Sequence, residues 1–542
     1  MRNNLFVFLF IVTAFAGPAR PSDAVAQSNA DCGIVTAIDY PLEINDTFTR
    51  SFDDFGRFRR RFDGLHTGID LAFQRHLEPV RAAADGRVTY ADPEGWDTEL
   101  GVVIIRHDFP DGSVYYSLYG HMEESVTVRF PTVGACVRRG DVIGLIGDPS
   151  LSAPHLHYEI RDFMPNDGGP GYVQVNPRLQ GWFHPLDFTD QWRIRLGTGY
   201  LGSVTLDSAP DVPPVMLDTG VIVAATGPTV RALSLPDTSL WQITGTADVT
   251  GIVALPGGQV ASVTKAGAVS VFADGRYAAR WQVTPPPVAP VELAGALVMP
   301  GGDRLTAYDM AGQTLWQTDA LYNTPQQVIA LTANETTVAL TTRVRGRYLW
   351  RLLDAAGNVL FERSLARPPV AATGPGASWT LLDGTEVLRV DGATSRGIGS
   401  IDQTHGSGAR MTVDALGNST IYLDDDASTF LSVSATGELR WQATYPLLNA
   451  PEPPLVAAGS VCMLATLDSD GVLNLFDANT GQLAQQLFLY AGGTSTARPD
   501  ARLLRADTSD RLLVGAGFHS IVLLDGAALM ARSAATCEQG QP

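Results

Sequence analysis

Ser152-Ala153-Pro154-His155-Leu156-His157-Tyr158-Glu159-Ile160-Arg161 alternates polar and apolar residues from His155 onward. Read as a strand, this stretch puts His155, His157 and Glu159 on one face. Two upstream fragments carry the same chemistry, His66-Thr67-Gly68-Ile69-Asp70 and Tyr119-Gly120-His121, with strand-like sequence between them. A catalytic zinc takes three imidazole or carboxylate ligands and leaves its fourth tetrahedral position to water. His66, Asp70 and one histidine of the His155/His157 pair would supply that set. Zinc lowers the pKa of its water to about 7 and polarises a carbonyl, and histidines off the metal can move protons or steady an oxyanion. His107, His76 and His184 have no companions at ligand spacing and are read as structural or surface residues. His405 and His519 lie far downstream in sequence of a different kind and receive no role.

Five segments together resemble one family. They are LHTGIDLAF (65–73), VRAAADGRVTY (80–90), YSLYGHM (116–122), VRRGDVIGLIG (137–147) and SAPHLHYEIR (152–161). They resemble the LytM/lysostaphin-type zinc metallopeptidases, the M23 family, over roughly residues 60 to 190. The resemblance implies an antiparallel-sheet domain with zinc (Zn2+) on His66, Asp70 and His157, and with His121 and His155 as catalytic histidines. No required position is substituted. The chain departs from the family at FMPNDGGPGY (163–172), a Gly/Pro-rich insertion that cannot continue a strand and is expected as an exposed loop flanking the cleft. Arg57, Arg59, Arg60 and Arg61, just before His66, form either a solvated basic edge or a binding site for substrate carboxylates.

At 542 residues and 45% hydrophobic content the chain exceeds one typical domain. Its formal charge of -19 is spread over both halves and leaves no basic domain to hold a nucleic-acid backbone. Arg2, the apolar run Leu5 to Ala16 and Ala24-Val25-Ala26 read as a signal peptide over 1–26, implying a secreted or periplasmic protein without a transmembrane anchor after cleavage. Four cysteines allow three pairings; placing each pair within one segment favours Cys32 with Cys136 and Cys462 with Cys537.

After the expected peptidase domain (27–197), turn signals recur at Asp237, Asp274, Asp309, Asp354, Asp391, Ser434, Asp477 and Asp525, at a spacing of about 41 residues, within the range of propeller repeats. Trp241, Trp281, Trp316 and Trp441 close the clearest repeats, with Phe361 and Gln485 in weaker copies. These units resemble the repeats of pyrroloquinoline-quinone-type β-propellers, without a constellation for the quinone or calcium. The expected fold is therefore all-β, a peptidase domain followed by a seven- or eight-bladed propeller over 198–542. The expected function is an exported zinc endopeptidase acting on peptidoglycan cross-links or stem peptides, with a possible protein partner on the propeller. The alternative is a non-catalytic envelope protein that uses both parts as a scaffold.

Overall fold

The computed structural model describes residues 32–43 and 54–531, apart from 165–167, 170, 207–209, 236–237, 375–377, 403–404, 407, 446–451, 459–461, 468–471, 490–500, 507–509 and 518–519. The expected signal segment, Asp237, His519 and Cys537 lie outside the described residues.

The N-terminal part contains strands β1 (Phe58–Arg59), β2 (Gly64–His66), β3 (Ile69–Leu71), β4 (Pro79–Arg81), β5 (Gly86–Asp92), β6 (Gly101–Asp108), β7 (Val114–Glu123), β8 (Cys136–Val137), β9 (Val142–Ile146), β10 (Leu156–Arg161), β11 (Tyr172–Val173) and β12 (Trp182–Phe183), followed by helix α1 (Pro185–Arg195). The main sheet runs β12-β10-β7-β6-β5-β8, with β3 also on β10 and β9 joining β4 to β7. All its pairings are antiparallel. On β10 the alternation read from sequence separates core from site: Leu156, Tyr158 and Ile160 enter the apolar core with Val88, Ile105 and Tyr119, and His157 and Glu159 face the other way. Leu186, Phe188 and Trp192 of α1 close that core. The helix starts where His184 Nδ1 accepts from Asp187 N at 3.2 Å and Pro185 occupies the first turn, a donor-satisfying cap with proline where its missing N–H costs nothing.

The N-terminal arm packs Val35, Ile38, Tyr40 and Leu42 into the same core, and a Cys32–Cys136 disulfide ties it to β8. At the end of α1, Ile194 joins Leu524, Leu529 and Met530 of the second part in one apolar cluster.

Eight four-stranded antiparallel sheets follow among the described residues. Seven are meanders of consecutive strands. In the eighth, the strand Tyr200–Thr205 pairs with Ser520–Asp525, so the two ends of this part share one sheet. Each sheet packs on the next through its own apolar cluster. Val223 and Val230 meet Val249 and Val260, for example, and Leu513 and Ile521 of the shared sheet meet Met216 and Ile222 of the first meander. A ring of sheets with no unpaired face is a β-propeller, which protects its strand edges by closing on itself.

The repeat signals have a packing origin. Trp241, Trp281, Trp316 and Trp441 each lie on a hairpin glycine of the following sheet, Gly275, Gly312, Gly357 and Gly481. A Cβ on any of these glycines would sit 2.5 to 2.7 Å from the indole side chain, so tryptophan and glycine are required as a pair. In the hairpins, Asp309 Oδ1 accepts from Ala311 N and Gln313 N, and Asp354 Oδ1 from Ala356 N and Asn358 N. Asp525, expected as a hairpin turn, instead caps a short helix, Gly526–Met530, by accepting from Ala528 N at 3.0 Å. An aspartate satisfies free amides equally well in a tight turn or at a helix start, and the sequence alone does not separate the two.

The Cys32–Cys136 bridge spans 104 residues, so its loss should release a large loop in the unfolded chain. A Cys32→Ser/Cys136→Ser variant is expected to lose about 2–5 kcal/mol in the unfolding transition of the N-terminal part, measured by chemical denaturation, with the propeller transition unmoved.

Candidate active site

β10 lies between β3 and β7, and its register puts His157 opposite Asp70 on one side and Gly120 on the other. β3 can approach this closely because residue 68 has no side chain: a Cβ there would fall 2.5 Å from Tyr158 O and 2.9 Å from His157 Nε2. His66 ends β2, and two residues separate it from the start of β3. These placements bring His66 Nε2 to 2.8 Å from His157 Nδ1, and Asp70 Oδ1 to 3.3 Å from each. Ligands bonded tetrahedrally to one zinc at 2.0–2.2 Å stand about 3.3 Å apart. The trio fits that ion, and it is the one such group of three among the described residues.

Carboxylates hold both imidazoles from behind, the arrangement that fixes ring orientation and tautomer in histidine metal sites. His157 Nε2 is 2.9 Å from Glu159 Oε1. His66 Nδ1 lies 3.1 Å from Asp54 Oδ2, within ion-pair reach though off the line of a hydrogen bond. Asp54 also accepts from Asp70 N at 3.2 Å and pairs with Arg59. Glu159 is fully buried; it pairs with buried Arg161, accepts from Thr67 Oγ1, and receives Trp182 Nε1 at 2.9 Å. Burial alone would raise the Glu159 carboxyl, but Arg161 and then His157 hold it well below the ordinary range. Burial lowers the His66 imidazole, yet Asp54 and Asp70 together outweigh it and lift it to about 10. Asp70 is held well below its ordinary value as the facing histidines overcome its burial.

The other two histidines share a pattern. His121 Nδ1 donates to Glu99 O and His155 Nδ1 to Ala153 O, each at 2.8 Å, which turns the opposite nitrogen, Nε2, of each ring away from the backbone. Their ring centroids are 4.5 Å apart, and His155 Nε2 is 3.4 Å from Asp70 Oδ1. Burial, then the neighbouring His155 and His157, push His121 down to about 3, so its ring is neutral at neutral pH. Its φ of 58° is a left-handed conformation rare for a non-glycine residue, held where Trp96 packs edge-on against both His121 and His157. Asp70, Trp96, His121, His155, His157 and Tyr172 line one cleft of about 570 Å³.

Of the five histidine and aspartate positions singled out in the sequence, Asp70, His121, His155 and His157 line one cleft, and His66 is buried just behind it, in contact with Asp70 and His157. His107 is buried elsewhere, with Nδ1 donating to Asp85 O at 2.8 Å and Nε2 2.7 Å from Ser117 Oγ, and burial lowers it to about 4. His76 pairs with Glu123 at 3.0 Å on the surface. The insertion at 163–172 does flank the cleft through Gly169, Gly171 and Tyr172. Its expected exposure is corrected in part. Gly168 and Gly171 are buried, because Trp96 Nε1 donates to Gly169 O and Thr67 N to Gly171 O. Asp54, Trp96 and Glu99 carry no motif and escaped the sequence. Glu159 was visible there only as a polar residue on the His157 face.

Because His66 holds a proton up to about pH 10 in the metal-free protein, zinc must displace it. Apparent zinc affinity is expected to rise about tenfold per pH unit through the neutral range for each proton released. Calorimetry in buffers of different ionisation enthalpy measures that release; a pH-independent affinity would contradict it. Glu159→Gln and Asp54→Asn are each expected to weaken zinc binding about 10- to 100-fold, read by competition with a chelating dye.

The sequence pattern of Peptidase family M23 matches residues 64–177. No curated protein matches the chain. In architecture it is similar to the crystal structure of BamB from Moraxella catarrhalis, at 16% identity over 60% of this chain and 97% of that one, with a TM-score of 0.43. It is also similar to apo AztD from Citrobacter koseri, at 14% identity over 57% and 92%, with a TM-score of 0.42. Residues 64–177 are an M23 peptidase domain, joined in one chain to a β-propeller.

Proposed function

We propose that this protein is an exported zinc endopeptidase that hydrolyses peptide bonds in peptidoglycan cross-links or stem peptides, with the propeller as its docking platform. The observation that carries this reading is the convergence of His66 Nε2, Asp70 Oδ1 and His157 Nδ1 at the wall of a cleft that His121 and His155 also line. Export is supported by the apolar run Leu5 to Ala16 and the small residues Ala24 and Ala26 that follow it. No helix among the described residues is long and apolar enough to cross a membrane. The peptidase part would occupy 27–197 and the propeller 198–542.

His66, Asp70 and His157 would hold the metal. A bound zinc ion supplies Lewis acidity toward the scissile carbonyl and acidifies its water to a pKa of about 7. The chain's own contribution is proton handling. With Nδ1–H fixed on Glu99 O and Ala153 O, His121 and His155 present Nε2 to the cleft; one accepts the proton of the attacking water and returns it to the departing amine nitrogen. Once protonated, the same Nε2–H donates to the oxygen on which charge develops. Trp96 and Tyr172 wall the cleft.

His66→Ala and Asp70→Ala are expected to lose both metal and turnover. His121→Ala and His155→Ala are expected to keep one zinc per chain and lose about 10²–10⁴ in kcat. Metal content by mass spectrometry and release of muropeptides from purified sacculi check both. Full metal loading with no new amino termini from the unsubstituted protein would sink the enzyme in favour of a binding scaffold.

A further inference from the structure

The turn between β1 and β2 carries adjacent arginines, Arg60 and Arg61, into the wall of the metal-binding cleft. Their placement is fixed from two sides. Phe62 stacks on Tyr172 at 4.2 Å and 14°, and Tyr172 stacks on His66 at 5.2 Å and 29°, so an aromatic ladder joins the turn to the ligand trio. Across the cleft, Arg61 Nη1 donates to Leu151 O at 2.7 Å, and Leu151 precedes His155 in the loop that enters β10. The arginine turn is thereby strapped over the site at both ends.

The charges on this turn are not consumed by the protein. Arg59, beside them, is paired with Asp54. Arg60 is exposed and has no ion-pair partner among the described residues, and Arg61 contacts a neutral carbonyl and the Phe62 ring, with its guanidinium 5.6 Å from the ring centroid. Of the acids that line the cleft, Asp70 lies within the ligand trio, and the Glu99 side chain lies beside His121, with Oε2 3.8 Å from Nδ1. Arg60 and Arg61 thus bring two guanidinium groups to the cleft without an ion pair among the described residues, in a chain of net charge -19. Guanidinium presents paired N–H donors that match a carboxylate bidentately. The acidity of the rest of the molecule repels a polyanion and favours a single carboxylate on an otherwise uncharged ligand.

We infer that Arg60 and Arg61 form a carboxylate-binding subsite of the cleft, so that the substrate is a peptide with a carboxylate, from an acidic side chain or a free chain end, close to the scissile bond. The inference rests on the peptidase reading for the word substrate, and binding alone tests the subsite. Three Ala/Gly tetrapeptides carrying an uncharged dansyl label on the amino end serve as probes: one with an internal glutamate and an amidated end, one with a free C-terminal carboxylate as its only charge, and one uncharged and amidated. Anisotropy titration of the full-length protein is expected to give one or both carboxylated peptides about tenfold tighter binding than the amidated one, as charge-assisted hydrogen bonds allow. Whichever arm shows the preference identifies the source of the carboxylate. In Arg60→Gln/Arg61→Gln the preference should fall to about onefold, with zinc content unchanged. Equal or undetectable binding of all three peptides, or a preference that survives the double substitution, overturns the subsite. Preference in the probes, with no muropeptides released from sacculi by the zinc-loaded protein, would uphold the subsite and remove the peptidase reading.

Discussion

The register of β10 is the constraint on which the site depends. Side chains alternate along a strand, so a slip of one residue against β3 and β7 would turn His157 and Glu159 into the core and Tyr158 into the cleft. Two features pin it. Leu156, Tyr158 and Ile160 must stay in the apolar core, and Gly68 permits no side chain between β3 and β10. With the register fixed, Asp70 lies across from His157 and Gly120 lies on its other side. The next residue, His121, then bends away through its left-handed backbone.

Behind the ligand trio the protein buries an unusual amount of charge. Glu159 and Arg161 are both inaccessible, and an ion pair so placed gives up hydration that its mutual attraction only partly restores. Stability alone does not explain retaining it. The pair keeps Glu159 ionised and aimed at His157 Nε2, which leaves Nδ1 directed at Asp70 and His66. Thr67 and Trp182 complete the carboxylate's acceptor sites, while Nε and Nη1 of Arg161 are buried without hydrogen-bond partners among the described residues. Asp54 performs the corresponding service for His66 from a segment that precedes it by twelve positions.

Sequence and structure agree where periodicity or spacing encodes geometry. The His155–Arg161 alternation became β10, HxxxD and HxH met at one cleft, and the recurring Asp turns and tryptophans became hairpins and the contacts between sheets. What the sequence left unread depends on contacts distant along the chain. Asp54 and Trp96 stand in no pattern and acquire their places only when β2, β3 and the loop before β6 fold around β10. The 163–172 insertion looked like exposed loop because glycine and proline exclude strand. Tertiary hydrogen bonds from Trp96 and Thr67 nonetheless bury part of it. Asp525 carried the composition of a hairpin turn and became a helix cap, since local chemistry is the same in both.

The division between metal-holding and proton-handling histidines is tested most directly by anomalous diffraction at the zinc edge from crystals of the zinc-loaded protein. The account predicts one peak about 2.0–2.2 Å from His66 Nε2, Asp70 Oδ1 and His157 Nδ1, with His121 and His155 outside bonding distance. A peak bonded to His155 Nε2, which already stands 3.4 Å from Asp70 Oδ1, or one centred away from the trio, would contradict it.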